Sequence, residues 1–291
     1  MKDKFVVEEP TILMDFLIEK MEKPHKKAKQ LLTNEAVLVN NHVVTKYNRP
    51  LLRGDIVSLR GFNPNNIDSR AEIIYEDKDI IVVNKASGLL TISTENEKER
   101  TLYHMVSDYV KIKNKNARIF VIHRLDKDTS GVVMFAKTEN IKRLYQDSWD
   151  ELVKYRGYMA LVEGYVEDYK GNIVQFLKES EDGFKVYSTK KELGKKAITL
   201  YKAVSRNDKY SLLDIEIQTG RKNQIRVAMQ SINHPVVGDY KYGSNDKVLK
   251  RLGLHAYKLT VVNPVTKREM TFETTVPKEF YRFAKNSDSK K

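Results

Sequence analysis

Residues 121–137 read VIHRLDKDTSGVVMFAK and place a histidine, several charged side chains and a glycine between two runs of strand-forming residues. The apolar runs on both sides predict two strands, which would anchor the connecting loop to a rigid sheet. A loop held in this way can keep a reactive side chain in one geometry. Asp126 lies near the centre of the loop and is therefore the first candidate for a chemical role.

The loop alone leaves two interpretations of Asp126 open. Arg124 and Lys127 are close in sequence, and neighbouring positive charge lowers the pKa of a carboxylate, so we expect Asp126 to be ionised at neutral pH. An ionised carboxylate can act as a nucleophile or a base. However, Asp, Thr, Ser and Gly are also turn formers. From this loop alone, an ordinary turn that ends at the glycine is the simpler interpretation.

The charge of the chain points to a polyanionic partner. Its 291 residues contain 52 Lys and Arg against 39 Asp and Glu, a net charge of +13. Residues 151–291 hold 27 basic and 17 acidic residues, an excess of +10, whereas residues 1–62 hold 11 and 8, an excess of +3. Many basic proteins gain only solubility from such a charge, so charge alone leaves nucleic-acid binding and simple solubility equally open.

Composition excludes several other classes. The chain has no cysteine, and its six histidines do not follow a metal-binding spacing, so we expect neither a disulfide framework nor a bound transition metal. Acidic residues interrupt the first 16 positions, and no run of 18 apolar residues occurs. We therefore expect a cytoplasmic protein without an export signal or a membrane span.

Apolar periodicity predicts two domains. Residues 1–62 read as two helices, a hairpin around an Asn-Asn turn and a closing strand. Residues 63–70 have the composition of a linker. In residues 71–291, strand patterns outnumber helical ones. We predict an α+β protein whose larger domain contains a mostly antiparallel, mixed sheet and whose smaller N-terminal domain combines helices with strands.

The N-terminal domain resembles the S4 RNA-binding domain over residues 9–60. The two helices are followed in that family by a VxVNG turn and a later GDxI, which VLVNN and RGDIVSL match here. Asn41 stands where the family usually has Gly, and Asn adopts positive φ readily. The resemblance implies that helix lysines contact RNA phosphates; the alternative is a solvated helix face. The lysines are Lys20, Lys23, Lys26, Lys27 and Lys29.

Five segments of the larger domain resemble the RluA-type pseudouridine synthases, in the order of that family. HRLDKDTSGVVMFAK, which contains Asp126, is similar to the catalytic motif of the family. The resemblance covers residues 71–280, and it departs from the family pattern at Ala86, where Pro is usual, and at Asn223, where the His of HQIR is usual. The other four segments are IYEDKDIIVVNKASGLL, KYRGYMALVEG, TGRKNQIRVAMQSINHPVVGD and LHAYKLTVVNPVT.

The resemblance implies an isomerase that acts on RNA. In such a reaction the glycosidic bond of a uridine breaks, the uracil turns, and the base is rejoined to the sugar through carbon 5, without a cofactor or a metal. The essential carboxylate of the family, proposed to attack C1′ or to abstract the 2′ proton, corresponds to Asp126. The expected substrate is a structured RNA, ribosomal in preference to transfer RNA, and we expect a monomer.

The resemblance also assigns three further residues. Arg226 matches the arginine that pairs with the catalytic carboxylate, with a phosphate clamp as the alternative. Tyr158 matches the tyrosine that stacks on the base and assists proton removal from C5, and the alternative is an ordinary half-buried tyrosine. Arg124 matches the residue that fills the space of the extruded uridine; the alternative is an ion pair with an acid.

Two residues near this set receive no catalytic role. We interpret His123 as a hydrogen-bonding brace of the loop, and Lys85 either lines the RNA groove or ends a strand.

A non-catalytic RNA-binding or ribosome-associated protein is the alternative function, and the intact set of Asp126, Tyr158 and Arg226 favours the enzyme. Hydrolysis by an Asp-based glycosidase would need a second matched carboxylate as general acid, and none is found.

Overall fold

The computed structural model describes residues 4–33, 36–40, 42–59, 66–68, 70–93 and 101–285. The chain divides into two compact units, Met1–Glu72 and Ile73–Lys291. Of the predicted linker 63–70, residues 63–65 and 69 lie outside the described residues, and Asn66–Asp68 form a strand. Within the described ranges, no helix is long and apolar enough to cross a membrane.

The first unit combines helices with short strands. In chain order its elements are β1 (Lys4–Val6), β2 (Thr11–Ile12), α1 (Leu13–Glu19), α2 (His25–Thr33), β3 (Val37–Val39), β4 (His42–Val43), β5 (Pro50–Leu51) and β6 (Ile56–Leu59). An antiparallel sheet has the order β1-β6-β3-β4, and β2 pairs with β5. Leu17 of α1 and Leu32 of α2 pack with Val37 and Val57 of the sheet in one buried core.

The two sequence motifs of the first unit are joined by hydrogen bonds. The side-chain amide of Asn40 donates to Asp55 Oδ1 at 2.8 Å, and Asn40 Oδ1 accepts from the backbone N–H of Ile56 at 2.9 Å. Asn40 has a φ of 52° and Gly54 a φ of 93°, which are values that Asn and Gly adopt at low cost. Asn41, where the S4 pattern has Gly, lies outside the described residues.

Strand β7 (Asn66–Asp68) pairs with β8 (Ala71–Glu76), in which the division between the units falls. The remaining elements are β9 (Ile80–Lys85), α3 (Leu102–Lys113), β10 (Phe120–Val121), β11 (Ser130–Ala136), α4 (Glu139–Asp147), α5 (Trp149–Leu152), β12 (Val153–Glu163), β13 (Lys170–Glu179), β14 (Val186–Ser188), β15 (Lys195–Arg206), β16 (Tyr210–Ile217), α6 (Gln224–Ser231), β17 (Leu254–Val262), β18 (Glu269–Glu273) and α7 (Lys278–Ala284).

The second unit is built on one large sheet with the order β14-β13-β15-β16-β12-β17-β11-β9-β8, in which β10 also pairs with β11 and β18 with β17. Neighbouring strands from β14 to β17 are antiparallel, and β11 runs parallel to β17. Helices lie between groups of strands in the chain and do not alternate with them. The prediction of an α+β fold with a mostly antiparallel, mixed sheet is therefore confirmed.

Strand β12 positions one of the predicted site residues. Successive side chains of a strand point to opposite faces of the sheet. Ala160 packs with Ile225 of α6, whereas Leu161 packs on the other face with Phe280 of α7. Tyr158 packs against the cluster that contains Ala160 and Ile225. The tyrosine therefore lies on the face of the sheet that α6 covers.

Candidate active site

The loop between β10 and β11 carries Asp126 and is anchored by the segment that follows β9. Thr91 Oγ1 donates to the carbonyl oxygen of Leu125 at 2.8 Å, and the backbone N–H of Leu125 donates to Thr91 Oγ1 at 3.3 Å. Ser87 Oγ donates to the carbonyl oxygen of Asp128 at 2.6 Å. These bonds hold the backbone on both sides of Asp126, which is the rigidity that the sequence predicted.

Lys85, the last residue of β9, is fully buried. Its Nζ donates to the carbonyl oxygens of Ala86 at 3.0 Å, Leu89 at 2.6 Å and Lys127 at 2.8 Å, so each ammonium donor has an acceptor. Burial lowers the pKa of Lys85 to about 7, and the charges of nearby aspartates oppose this shift. Because its side chain is inaccessible, Lys85 does not line an RNA-facing surface; it ties the end of β9 to the Asp126 loop.

The electrostatics of Asp126 differ from the sequence expectation. Its side chain is 27% exposed. Burial raises the pKa of Asp126, and this effect of burial is larger than the opposing effect of four nearby cations. Arg124 lowers the pKa as the sequence suggested, but the net shift is upward because desolvation of the carboxylate is the larger effect. The cations that oppose burial are, in decreasing order, Arg226, Arg124, Lys85 and Lys222.

Arg226 lies in the first turn of α6 and contacts two carboxylates. Its Nη1 is 3.8 Å from Oδ2 of Asp126, which is too long for a hydrogen bond. Its Nε and Nη2 donate to Oδ2 and Oδ1 of Asp239 at 2.6 and 2.7 Å. The predicted pairing of Arg226 with Asp126 is thus a long ion pair, and the two-donor fork binds Asp239, a residue that the sequence analysis did not select.

Asn223 and Tyr242 complete the surroundings of Arg226. Asn223 Oδ1 accepts from Arg226 Nη1 at 3.0 Å, and Asn223 Nδ2 donates to the hydroxyl of Tyr242 at 3.0 Å. The guanidinium carbon of Arg226 lies 4.8 Å from the centre of the Tyr242 ring. Asn223, which replaces the usual His of the family, therefore bridges the arginine and a buried tyrosine.

Tyr158 lies within electrostatic range of Asp126. Burial raises the pKa of Tyr158 to about 12; Arg156 opposes this and Asp126 adds to it. The phenol is therefore protonated at neutral pH. It can stack on a base and form hydrogen bonds, but it is not an anionic base under these conditions.

His123 and Arg124 face different surroundings although they are adjacent. His123 Nε2 accepts from the backbone N–H of Met134 in β11 at 3.1 Å. Burial, and to a smaller extent the positive charge of Arg156, lowers the pKa of His123 to about 4. The ring is therefore neutral and can accept this hydrogen bond. Arg124 is exposed. This leaves Arg124 accessible to RNA, whereas His123 braces the loop.

The lysines of α2 lie on its exposed face. Lys26, Lys27 and Lys29 are exposed, while Ala28 and Leu32 are buried in the core of the first unit. Phosphate contact by these lysines stays a prediction. Among the residues that the structure describes, no group of three or more His, Asp or Glu side chains could hold a metal ion, and the expectation of no metal likewise stays a prediction.

Comparison with known proteins identifies the family. Residues 79–231 match the model of the RNA pseudouridylate synthase family. The ribosomal large subunit pseudouridine synthase D of Borreliella burgdorferi is 32% identical over 277 residues, which cover 92% of this chain and 82% of that protein. An uncharacterized RNA pseudouridine synthase of Aquifex aeolicus is 34% identical over 271 residues, which cover 87% and 85%.

A solved structure shows the same fold. The human RNA pseudouridylate synthase domain containing 4 superimposes with a TM-score of 0.59 and 22% identity, over 72% of this chain and 89% of that chain. The chain belongs to the RNA pseudouridylate synthase family. It is an isomerase that acts on RNA, as the sequence resemblance predicted; the S4 resemblance of the first unit stays a prediction.

Proposed function

We propose that the protein converts selected uridines of ribosomal RNA to pseudouridine and that Asp126 is its reacting group. The observation that supports this most is the placement of Asp126: a partly buried carboxylate on a loop fixed at both sides, 3.8 Å from Arg226. A fixed carboxylate beside a cation suits a nucleophile or a base.

Either reaction that the family resemblance implies begins at this carboxylate. Attack on C1′ forms a bond between Asp126 and the sugar, and N1 of uracil takes the electron pair of the broken glycosidic bond. Abstraction of the 2′ proton expels the same uracil by elimination, and the proton later returns to C2′. In the first route C5 then displaces the Asp126 carboxylate, so that the bond between Asp126 and C1′ breaks as the C5–C1′ bond forms. In the second route C5 adds to C1′ of the C1′–C2′ double bond as C2′ regains its proton. In both routes the C5 proton then leaves and N1 takes up a proton. Both routes require an ionised Asp126 at the start.

The other site residues supply binding and shape. Tyr158 stacks on the target base as a neutral phenol, because its pKa is raised to about 12. Arg124, which is exposed beside the loop, occupies the space that the target uridine leaves when it is extruded. The basic excess of residues 151–291 attracts the phosphates of the RNA.

Ribosomal RNA is the substrate class that the relatives favour. The Borreliella burgdorferi relative is named for the large ribosomal subunit, and so is a 28% identical relative from Buchnera aphidicola. We infer that this enzyme acts in the cytoplasm, where ribosomal RNA is made in bacteria.

Pseudouridine mapping in total RNA tests both parts of the proposal. Cells that lack the gene should lose pseudouridine at defined positions of ribosomal RNA, and a plasmid copy should restore it. A copy with Asp126→Asn should restore nothing, because the amide is neither a nucleophile nor a base. Loss confined to transfer RNA would overturn the substrate class, and restoration by the Asp126→Asn copy would overturn the role of Asp126.

A further inference from the structure

The tip of the β13 to β14 hairpin carries an aromatic ring that the fold does not bury. Phe184 is 73% exposed, which makes it the most exposed large apolar side chain among the described residues. A single exposed apolar side chain is common on a protein surface and needs no explanation of its own. The surroundings distinguish Phe184 from such residues, because charged groups hold this ring beside the active site.

The hairpin tip is ordered by hydrogen bonds although it is exposed. Asp182 Oδ1 accepts from the backbone N–H of Phe184 at 2.8 Å, and the backbone N–H of Ser180 donates to the carbonyl oxygen of Lys185 at 2.8 Å. The Nζ of Lys241 donates to the carbonyl oxygen of Phe184 and lies 4.5 Å from the centre of its ring. A cation therefore orients the ring, while most of the ring surface stays open to solvent.

One tyrosine fastens this hairpin to the active site. The backbone N–H of Val186, the first residue of β14, donates to the hydroxyl of Tyr242 at 3.0 Å. The centre of the Tyr242 ring lies 4.8 Å from the guanidinium carbon of Arg226, and Arg226 is 3.8 Å from Asp126. Phe184, two residues before Val186, therefore lies at the rim of the site in which Asp126 would meet the target uridine.

Three lysines surround the ring at this rim, namely Lys185, Lys222 and Lys241. Lys222 donates to a backbone carbonyl oxygen of the hairpin tip at 2.8 Å, and Glu179 pairs with it at 2.6 Å. Burial lowers the pKa of Lys241 most, and the positive charges of Arg226 and Lys222 lower it further. Positive charge crowded beside an exposed ring suits a polyanion whose units also carry flat bases.

We propose that Phe184 is a stacking platform for an unpaired base of the RNA substrate next to the target uridine, and that Lys185 and Lys241 bind the phosphates that flank this base. The inference rests on the proposed function, since it takes the RNA that enters the Asp126 site as the ligand. Proteins that bind single-stranded nucleic acid combine aromatic rings for the bases with cations for the backbone. Extrusion of a uridine costs stacking energy, and Phe184 replaces the partner that one neighbouring base loses.

The stacking platform has a consequence for the choice of substrate. A neighbouring base that is held in a duplex has both faces covered and cannot reach the ring, whereas an unpaired base can. We therefore expect the enzyme to prefer uridines that have an unpaired neighbour. Since every base has a π-face, any sequence preference at this neighbour should be modest and should follow stacking strength.

Binding of two probes to the full-length protein tests the platform without catalysis. The probes are an oligoadenylate of about eight nucleotides, whose bases are free to stack on a ring, and a blunt RNA duplex, whose bases are not. Phe184→Ala should bind the oligoadenylate about 5-fold to 150-fold more weakly, the range for loss of one stacked base, and the duplex as the wild type does. Phe184→Trp keeps a flat ring and should keep the affinity, whereas Phe184→Leu should behave like Phe184→Ala.

A second experiment locates the stacked base in the substrate. Abasic nucleotides are placed one at a time on either side of the target uridine, in the ribosomal RNA fragment that pseudouridine mapping identifies. At the position whose base stacks on Phe184, the abasic RNA should remove the difference in affinity between wild type and Phe184→Ala, as in a double-mutant cycle. With the intact fragment, Phe184→Ala should raise KM and leave kcat nearly unchanged.

Tyr281→Ala is the matched control, because Tyr281 is a 45% exposed aromatic residue of α7, a helix on the other face of the sheet. It should leave all affinities unchanged. Equal affinity of wild type and Phe184→Ala for the oligoadenylate would overturn the proposal, and so would a difference that persists at every abasic position. Failure of the proposed function is a separate result: the wild type would form no pseudouridine, while the oligoadenylate would still show whether the ring stacks on a base.

Discussion

Lys85 donates a hydrogen bond of 2.8 Å to the carbonyl oxygen of Lys127, the residue directly after Asp126. The same ammonium binds the carbonyl oxygens of Ala86 and Leu89. One buried amino group thus links the end of β9 to the backbone that presents the proposed reacting carboxylate. Its function is structural, and its loss should affect catalysis through the geometry of the loop.

Lys85→Met should impair both stability and turnover. Methionine fills a similar volume but leaves three carbonyl oxygens without their donor, and each buried unsatisfied group costs about 1 to 3 kcal/mol. We expect a lower free energy of unfolding in urea and a lower kcat, with RNA affinity largely kept. Lys78→Met, at an exposed position of the β8 to β9 turn, is the control. A Lys85→Met enzyme with wild-type kcat would show that the loop does not need this anchor.

Gly131→Ala should strongly destabilise the protein. Gly131 has a φ of 117°, and a Cβ there would lie 2.0 Å from the carbonyl oxygen of Ala256, its neighbour across the parallel β11 to β17 pair. We expect a loss of about 4 kcal/mol or more in urea unfolding. Gly183→Ala, with a φ of 65° and open space around it, should cost only about 1 to 3 kcal/mol. Equal losses in the two variants would argue against the close strand approach.

The stability of the protein should fall as the pH drops from about 6.5 to about 4. His255 is buried, and its ring nitrogens contact the hydroxyls of Ser130 and Thr274 at 2.7 and 3.0 Å. Burial, and to a smaller extent the positive charge of Arg251, lowers the pKa of His255 to about 4. The unfolded chain binds a proton below about 6.5, whereas the folded protein binds it only below about 4, so protonation favours unfolding between these values.

Urea unfolding at several pH values measures this effect for His255. In His255→Gln the free energy of unfolding should fall less steeply between pH 6.5 and 4 than in the wild type. His25→Gln, at an exposed position of α2, should keep the wild-type pH dependence. An unchanged slope in His255→Gln would mean that another group controls the acid loss of stability.

The S4 resemblance predicts an RNA contact by α2. Replacement of Lys26, Lys27 and Lys29 by Gln should raise KM and leave kcat nearly unchanged, since uniform binding is lost. A plot of the logarithm of the RNA binding constant against the logarithm of the salt concentration should also become less steep, its slope changing by about 0.7 to 0.9 for each phosphate contact that is lost. Replacement of the same residues by Arg keeps the charge and serves as the control. A salt slope equal to that of the wild type in the Gln variant would identify the lysines as a solvated face.

The parts of the structure that sequence predicted are those with local signals. The apolar runs around Asp126 specified two strands and a loop, and the sheet-rich second unit followed from its many strand patterns. Residues 138–154 have a helical pattern throughout in the sequence, but α4 ends at Asp147 and Ser148 leaves helical geometry with a φ of −121° and a ψ of 37°. Thr11 and Ile12 continue the apolar pattern of α1 in the sequence, yet they form β2 and pair with β5, because strand partners outside a segment override its periodicity.

The partners of the site residues could not be predicted in the same way. Lys85 binds backbone carbonyl groups. Because every residue has a carbonyl group, the sequence does not show which ones Lys85 contacts. Asp239 reaches Arg226 through the turn that follows α6, and only the folded chain shows that the fork of the arginine prefers this carboxylate to Asp126. The net shift of the Asp126 pKa depends on burial, which neighbouring residues in sequence do not reveal.

Single-turnover conversion of a uridine-containing ribosomal RNA fragment by purified protein tests the central claim, that Asp126 performs the reaction. Asp126→Asn should bind the fragment with wild-type affinity and form no pseudouridine, because its amide keeps the shape but cannot act as a nucleophile or base. Asp128→Asn, an exposed carboxylate of the same loop, should remain active. Pseudouridine formation by Asp126→Asn at a rate close to that of Asp128→Asn would contradict the account.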